Sequence, residues 1–269
     1  MLQDNTVYFV GSGPGDPDLI TLKAKKLIES ADVIVYSGSL LNPKILEYAK
    51  KTSQFYDAAL LEREQIHELL RDTTTMGKLA IRLHDGDPGL FSTIREQIDM
   101  LQKDGLLCKV VPGVTAVLGA AAEMNLELTI PGTTQTLIIT RAEFRTPVPE
   151  REKVSELAKH GVTMAFYLSV HLIENIVDEL LKGGVYTLDT PAATVYRATW
   201  EDQRIINGTL GNIARKTKEY KIIKTALVIV GDAIAPKKYE FSKVYDPGFT
   251  HGYRRAAKQN RHSAKNTSD

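Results

Sequence analysis

Thr6-Val7-Tyr8-Phe9-Val10 runs directly into Gly11-Ser12-Gly13-Pro14-Gly15-Asp16-Pro17. A short apolar run rich in strand-favouring residues, stopped by a Gly/Pro cluster, marks a strand that ends in a tight turn. Beyond the turn, Ala24, Leu27, Ile28 and Ala31 recur at the i, i+3, i+4, i+7 spacing of a helix with one buried stripe. Val33-Ile34-Val35-Tyr36 reads as the next strand. Strand, turn, helix, strand is the unit of a parallel sheet covered by helices.

The unit returns twice. Leu79-Ala80-Ile81-Arg82-Leu83 enters His84-Asp85-Gly86-Asp87-Pro88-Gly89, followed by a helix with Ile94, Ile98 and Leu101 inward. Val110-Val111 enters Pro112-Gly113-Val114-Thr115, followed by a helix carrying Val114, Val117, Leu118 and Ala121. The rhythm breaks between Asn125 and Gln135, where Pro131-Gly132 signals a turn. A second alternating region then offers strands at Leu137–Thr140, Met164–Leu168, Ala192–Tyr196 and Ala226–Val230. Two helices lie between the first three, with stripes Val154/Leu157/Ala158 and Ile173/Ile176/Val177/Leu180. Ile205–Thr209 adds a hairpin, which makes this second sheet mixed. The fold class is therefore α/β, with two α/β domains. The expected division is residues 1–120, residues 121–242 and a basic tail over 243–269.

Composition narrows the function. With 269 residues the chain has room for two modest domains, and 43% apolar with 25% charged residues is ordinary for a globular protein. Thirty-four Lys and Arg against 33 Asp and Glu leave a net charge of +1, so no global field marks a nucleic-acid or membrane-surface protein. The basic charge gathers at the end, in Arg254, Arg255, Lys258, Arg261 and Lys265, a solvated tail. The lone cysteine, Cys108, excludes a disulfide framework and a cysteine-based zinc site, and its apolar run suits a small buried thiol. The six histidines, including His262, show no short ligand spacing, so no metal site is expected. Without a signal-peptide pattern or an apolar run of roughly 20 residues, the chain is expected to be soluble and cytoplasmic.

The three Gly-rich turns end strands at the same edge of a parallel sheet, where ligands bind in open α/β folds. The first reads G-x-G-x-G, and Asp16 stands where a dinucleotide fold places its third glycine. Asp16 and Asp18 also put negative charge where a pyrophosphate would rest. The second turn, Asp85-Gly86-Asp87-Pro88, is acidic as well; its carboxylates accept from hydroxyl or ammonium groups and its glycine permits close backbone approach. Two readings stand here: plain sheet turns, or a site for a neutral or cationic nucleoside such as S-adenosylmethionine. His84 is either a base or a positioning histidine. Arg141 and Arg145, on the Pro-stiffened stretch Thr140–Glu150, either bind an acidic substrate or pair with Glu143 or Glu150.

Together these segments resemble the tetrapyrrole methylase family, which carries a G-x-G-P-G-D-P turn, a later G-D-P turn and a P-G-[VI]-[TS] turn. Here they are Gly11–Pro17, Gly86–Pro88 and Pro112–Thr115, in that order. Val35–Leu40, Ile94–Gln97, Gln135-Thr136 with Thr140–Glu143, Arg145–Glu150, and Tyr196–Trp200 resemble the branch that methylates carbon 11 of precorrin-4 or cobalt-precorrin-4 in cobalamin biosynthesis. The resemblance implies two α/β domains with the active site in the cleft between them, S-adenosylmethionine bound there as methyl donor, a tetrapyrrole substrate and a homodimer. It maps donor contacts to Pro14, Asp85, Gly86, Asp87, Thr115 and Ala116, and in the second domain to Leu168, Ala198 and Ala226. Acetate and propionate arms on such a substrate would suit Arg141 and Arg145. Asp85 departs from the usual Thr or Gly, Phe91-Ser92 from Tyr-Gly, and Phe144 from Gly. The alternatives are another methylase of the fold, acting on uroporphyrinogen-III, precorrin-2 or precorrin-3, and a non-catalytic binding relative.

Overall fold

The computed structural model describes residues 5–256. Its first sheet holds β1 (Thr6–Gly11), β2 (Val33–Tyr36), β3 (Gln54–Asp57), β4 (Ala80–His84) and β5 (Leu107–Val111), in the order β3-β2-β4-β1-β5. Every neighbouring pair is parallel. β1 and β4 lie at the centre and are buried along their whole length, which their near-continuous apolar sequence allows.

Helix α1 (Leu22–Ser30) covers one face. Thr21 caps it by accepting from the Ala24 amide at 3.2 Å, and Ala24, Leu27 and Ile28 pack on Tyr8, Val10, Ile81 and Leu83. Helices α2 (Arg63–Thr75) and α3 (Ile94–Lys103) cover the other. Ile66, Leu70 and Leu101 close there over Val7, Phe9, Val33 and Val35. Each such side chain, removed from water, contributes about 1.5–3 kcal/mol.

Helix α4 (Ala116–Glu123) follows the third Gly turn. Val117, Ala120 and Ala121 turn toward the second sheet and pack on Ala165, Val195, Leu227 and Ile229. Two expectations are corrected here. Val114 precedes the helix, and Leu118 is 54% exposed because the small residues of α4 supply its buried face. Residue 120 falls inside this helix.

The second sheet holds β6 (Leu137–Thr140), β7 (Thr163–Phe166), β8 (Pro191–Tyr196), β9 (Arg204–Thr209) and β10 (Ala226–Val230), in the order β6-β7-β10-β8-β9. β6 and β7 are parallel and the remaining pairs antiparallel, so the sheet is mixed. Helices α5 (Val154–Ala158), α6 (Ile173–Lys182) and α7 (Ile213–Glu219) pack on the face opposite α4. β7 stops two residues before the expected Leu168, whose φ of 53° takes the chain out of the ladder. Lys258, Arg261, His262 and Lys265 lie outside the described residues.

Candidate functional site

The three Gly turns meet at the carboxyl edge of the first sheet. Gly13 and Gly86 exchange backbone bonds, Gly13 N–H to Gly86 O at 3.2 Å and Gly86 N–H to Gly13 O at 2.8 Å. Asp87 ties in the third turn: its carboxylate accepts from the Gly113 amide at 2.8 Å and from the Gly89 amide at 2.7 Å. Gly86 has φ +59°, a conformation that favours glycine. The second half of the chain holds the first turn from the other side. Trp200 Nε1–H donates to the Pro14 carbonyl at 3.1 Å, and the Asp16 amide donates to Thr199 Oγ1 at 2.9 Å. Pro14 also lies against Gly119 of α4, so closely that a Cβ there would stand 2.9 Å from the proline ring.

Between the two sheets lie two adjoining cavities. The first, about 300 Å³, is lined by Ser37, Arg82, His84, Asp87, Phe91 and Thr115 among others. The second, about 400 Å³, is lined by Pro14, Val195, Ala198, Trp200, Ala226 and Leu227 among others. Both volumes lie in or near the range of small-molecule sites. Ser39, Leu40, Asp85, Gly86, Ala116, Tyr167 and Leu168 line both and form the junction.

The nine positions expected to contact a nucleoside donor all line these cavities. Pro14, Ala198 and Ala226 face the second; Asp87 and Thr115 face the first; Asp85, Gly86, Ala116 and Leu168 stand at the junction. Arg141 and Arg145 line neither. The Arg141 guanidinium braces its own loop, donating to the carbonyls of Thr146 at 3.1 Å and Pro147 at 2.9 Å. Arg145 lies over the exposed Phe144 ring at 5.6 Å. Glu150 pairs instead with Lys153, at 2.8 Å.

Several residues of the site carry little signal in the sequence. On β4, Arg82 and His84 share one face by the two-residue period, and only 6% and 2% of their surfaces are exposed. Arg82 Nη1 donates to the carbonyls of Val35 at 3.2 Å and Leu83 at 3.1 Å and to Ser37 Oγ at 3.3 Å. Its Nε has no hydrogen-bond partner among the described residues, and burial lowers its pKa to about 10. His84 stacks on Phe9 with ring centroids 6.1 Å apart. Burial, with the Arg82 charge beside it, pushes its pKa down to about 3, so the ring is neutral. Burial raises the Asp85 carboxyl above the ordinary aspartate value, while Arg82 opposes the rise.

Tyr167 fixes the junction. Its hydroxyl accepts from the Val117 amide at 2.9 Å and meets Thr115 Oγ1 at 2.7 Å, which ties the end of β7 to the start of α4. Phe91 packs on the same ring at 5.4 Å. In the sequence Tyr167 stands inside the expected strand Met164–Leu168, which gives no sign of this role. Among the described residues no group of His, Cys, Asp and Glu has the geometry to hold a metal ion.

The family described as tetrapyrrole (corrin/porphyrin) methylases matches residues 6–214. The cobalt-precorrin-4 C(11)-methyltransferase of Methanocaldococcus jannaschii is 49% identical, over 96% of this chain and 100% of that one. The precorrin-4 C(11)-methyltransferase of Pseudomonas aeruginosa is 43% identical, over 93% and 98%. A solved structure of a cobalt precorrin-4 methyltransferase superposes with a TM-score of 0.83 at 41% identity, covering 86% of this chain and 96% of that one. The Thermus thermophilus uroporphyrin-III C-methyl transferase complexed with S-adenosylhomocysteine superposes with a TM-score of 0.72 at 28% identity, over 87% and 96%.

Proposed function

The chain belongs to the tetrapyrrole (corrin/porphyrin) methylases, and from that premise we propose that it transfers a methyl group from S-adenosylmethionine to carbon 11 of precorrin-4 or its cobalt complex. The observation that carries this reading is the junction: two cavities of ligand size share one wall, so a donor in one and an acceptor in the other meet there. The donor supplies an electrophilic methyl on a sulfonium. As the carbon–sulfur bond breaks and the new carbon–carbon bond forms, the sulfonium becomes a neutral thioether and the acceptor releases a proton.

The second cavity suits the donor. Its walls are largely apolar, with Pro14, Ala198, Ala226 and Leu227 leaving room for a flat base. The first Gly turn commits the Ser12, Gly13 and Asp16 amides to His84, Gly86 and Thr199, so it offers no run of free amides to cradle a phosphate. Gly86 and Ala116 let the backbone approach at the junction. Tyr167, held by two bonds, keeps the two walls at a fixed separation. A dry, rigid junction assists a reaction in which positive charge disperses, since orientation and exclusion of water supply much of the rate. The first cavity then takes the macrocycle, with the buried Arg82 charge at its floor. Arg145, exposed on its loop, would meet a carboxylate arm that reaches out of the cavities, while Arg141 shapes the loop.

The relatives' names favour both metal states, so the deciding experiment is mass spectrometry of the product formed from each. A gain of one methyl on a macrocycle, with S-adenosylhomocysteine released, supports the reading. No methylation of either form overturns it. A cytoplasmic homodimer completes the proposal: β5 is an edge strand, and its Leu107 and Val110 are 54% and 44% exposed on opposite faces of the sheet, an edge a second copy would cover. Light scattering on the purified protein tests this.

A further inference from the structure

The second cavity has basic side chains, Arg197 and Lys224, but a single acid, Asp85, and that acid stands at the junction with the first cavity. Arg197 is already engaged: it pairs with Asp202 at 2.6 Å and stacks on Trp200 at 4.7 Å. The neighbouring Asp87 is engaged as well, both carboxylate oxygens being taken by the amides of Gly89 and Gly113. Tyr167, the other titratable group at the junction, uses its hydroxyl on Val117 and Thr115. Asp85 differs from all of these. Its carboxyl takes no hydrogen bond from another residue and faces only the charge of Arg82.

A methyl group that crosses from one cavity to the other must leave its sulfur at this junction. We propose that Asp85 makes the donor site selective for charge at that point, so that the chain binds the cationic donor in preference to its neutral thioether product. The inference rests on the donor reading above and adds a consequence to it: product leaves a site whose one unspent carboxylate no longer has the sulfonium to face. Arg82 does not cancel the effect, because it lines the first cavity and not the second. Asp85 thus stands where the two cavities meet, while Arg82 stands in the acceptor cavity alone. In a partly buried site such a charge is screened far less than in water.

Calorimetry on the full chain at neutral pH tests this with three ligands that share one methionine and nucleoside frame. S-adenosylmethionine carries a sulfonium, sinefungin an ammonium at the equivalent position, and S-adenosylhomocysteine no charge there. The wild type is expected to prefer both cations over the thioether by roughly tenfold, or about 1.4 kcal/mol. Asp85→Asn and Asp85→Thr should reduce that preference to within about twofold, with S-adenosylhomocysteine affinity little changed. Equal binding of the three ligands by the wild type overturns the inference without any variant. So does an undiminished preference in a folded variant. Failure of the wild type to bind any of them overturns the donor reading itself, and the inference with it.

Discussion

Gly113 stands so close to Gly86 that a Cβ on Gly113 would lie 2.1 Å from the Gly86 carbonyl oxygen. The backbones of the second and third turns are therefore in direct contact, and a methyl group cannot be placed between them. Gly86 is a different case. A Cβ there would meet Ala116 and Thr115 at 3.7 Å, an ordinary contact, but its φ of +59° penalises any side chain. Gly113→Ala should cost more than about 3 kcal/mol, and Gly86→Ala about 1–2 kcal/mol. Urea unfolding of the two variants checks the order; equal costs would mean that the turns are not packed as described. Gly86→Val, whose branched side chain fills the junction, should abolish S-adenosylhomocysteine binding while the circular-dichroism spectrum is retained.

Tyr167→Phe isolates one hydroxyl. It removes the bonds to Val117 N–H and Thr115 Oγ1 and keeps the ring that packs on Phe91. The buried Val117 amide then loses its partner, at a cost of about 1–3 kcal/mol. Methyl transfer should slow more than donor binding weakens, because the walls of the junction lose their fixed separation. A variant with unchanged stability and turnover would remove Tyr167 from the positioning machinery.

What was legible in the sequence, and what was not, follows from how each residue is buried. The stripes of α1 and α6 are readable because each turns one face to a core, and the apolar runs of β1 and β4 because both faces of these central strands are buried. β3 and α2 were not assigned. Gln54 and Phe55 are exposed on an edge strand, and α2 shows only Ile66 and Leu70 as buried apolar residues along a polar helix. Glycine spacing pointed to the three turns because backbone contact leaves room for nothing else. His84 is a candidate from its place before the acidic turn, but Arg82 and Tyr167 are not, for the opposite reason. Each resembles an ordinary strand residue until the sheet brings it to the cavity. Trp200, at the end of the Tyr196–Trp200 segment, closes the first turn through one N–H bond across 186 positions, a partnership no local pattern announces.

The two arginines of the 140–150 loop should separate. Arg141→Ala frees the Thr146 and Pro147 carbonyls and loosens the loop, so faster proteolysis there and a modest loss of stability, about 1 kcal/mol, are expected. Arg145→Ala breaks only a ring contact in the free protein. It should leave unfolding unchanged and weaken tetrapyrrole binding by about 5- to 30-fold, the worth of roughly 1–2 kcal/mol. Fluorescence titration with the macrocycle decides; identical behaviour of the two variants would reject the division of labour.

His84 gives stability a specific pH dependence. In the fold its pKa lies near 3, below the value of about 6.5 expected for an unfolded imidazole. A depressed value means that the unfolded chain takes up the extra proton. The stability that neutral His84 allows is therefore present above about pH 6.5 and is lost as pH falls toward 3, at up to roughly 1.4 kcal/mol per unit. Carboxylates also titrate in this window, so the informative quantity is a difference. His84→Gln should lose less stability per pH unit than the wild type between pH 6.5 and 4.5. Parallel urea midpoints for the two proteins would show that the imidazole is not held neutral.

Cys108 bears on the mechanism by its position. It lies half-buried on β5, paired in register with Val7 of β1, and it lines neither cavity. Burial pushes its thiol pKa up to about 11, so little thiolate forms at neutral pH. A relay of the methyl group through this sulfur would need both a thiolate and a path to the junction. One in-line displacement inverts the methyl carbon, whereas two displacements through a covalent methyl-enzyme retain it. A donor with a chiral methyl group should therefore give inversion, and thiol alkylation should proceed slowly and leave turnover intact. Cys108→Ala should cost about 1 kcal/mol of stability through lost packing. Retention at the methyl carbon would require a nucleophile at the junction itself. Tyr167 or Asp85 would then be the residue to trap, because both lie where the methyl must pass.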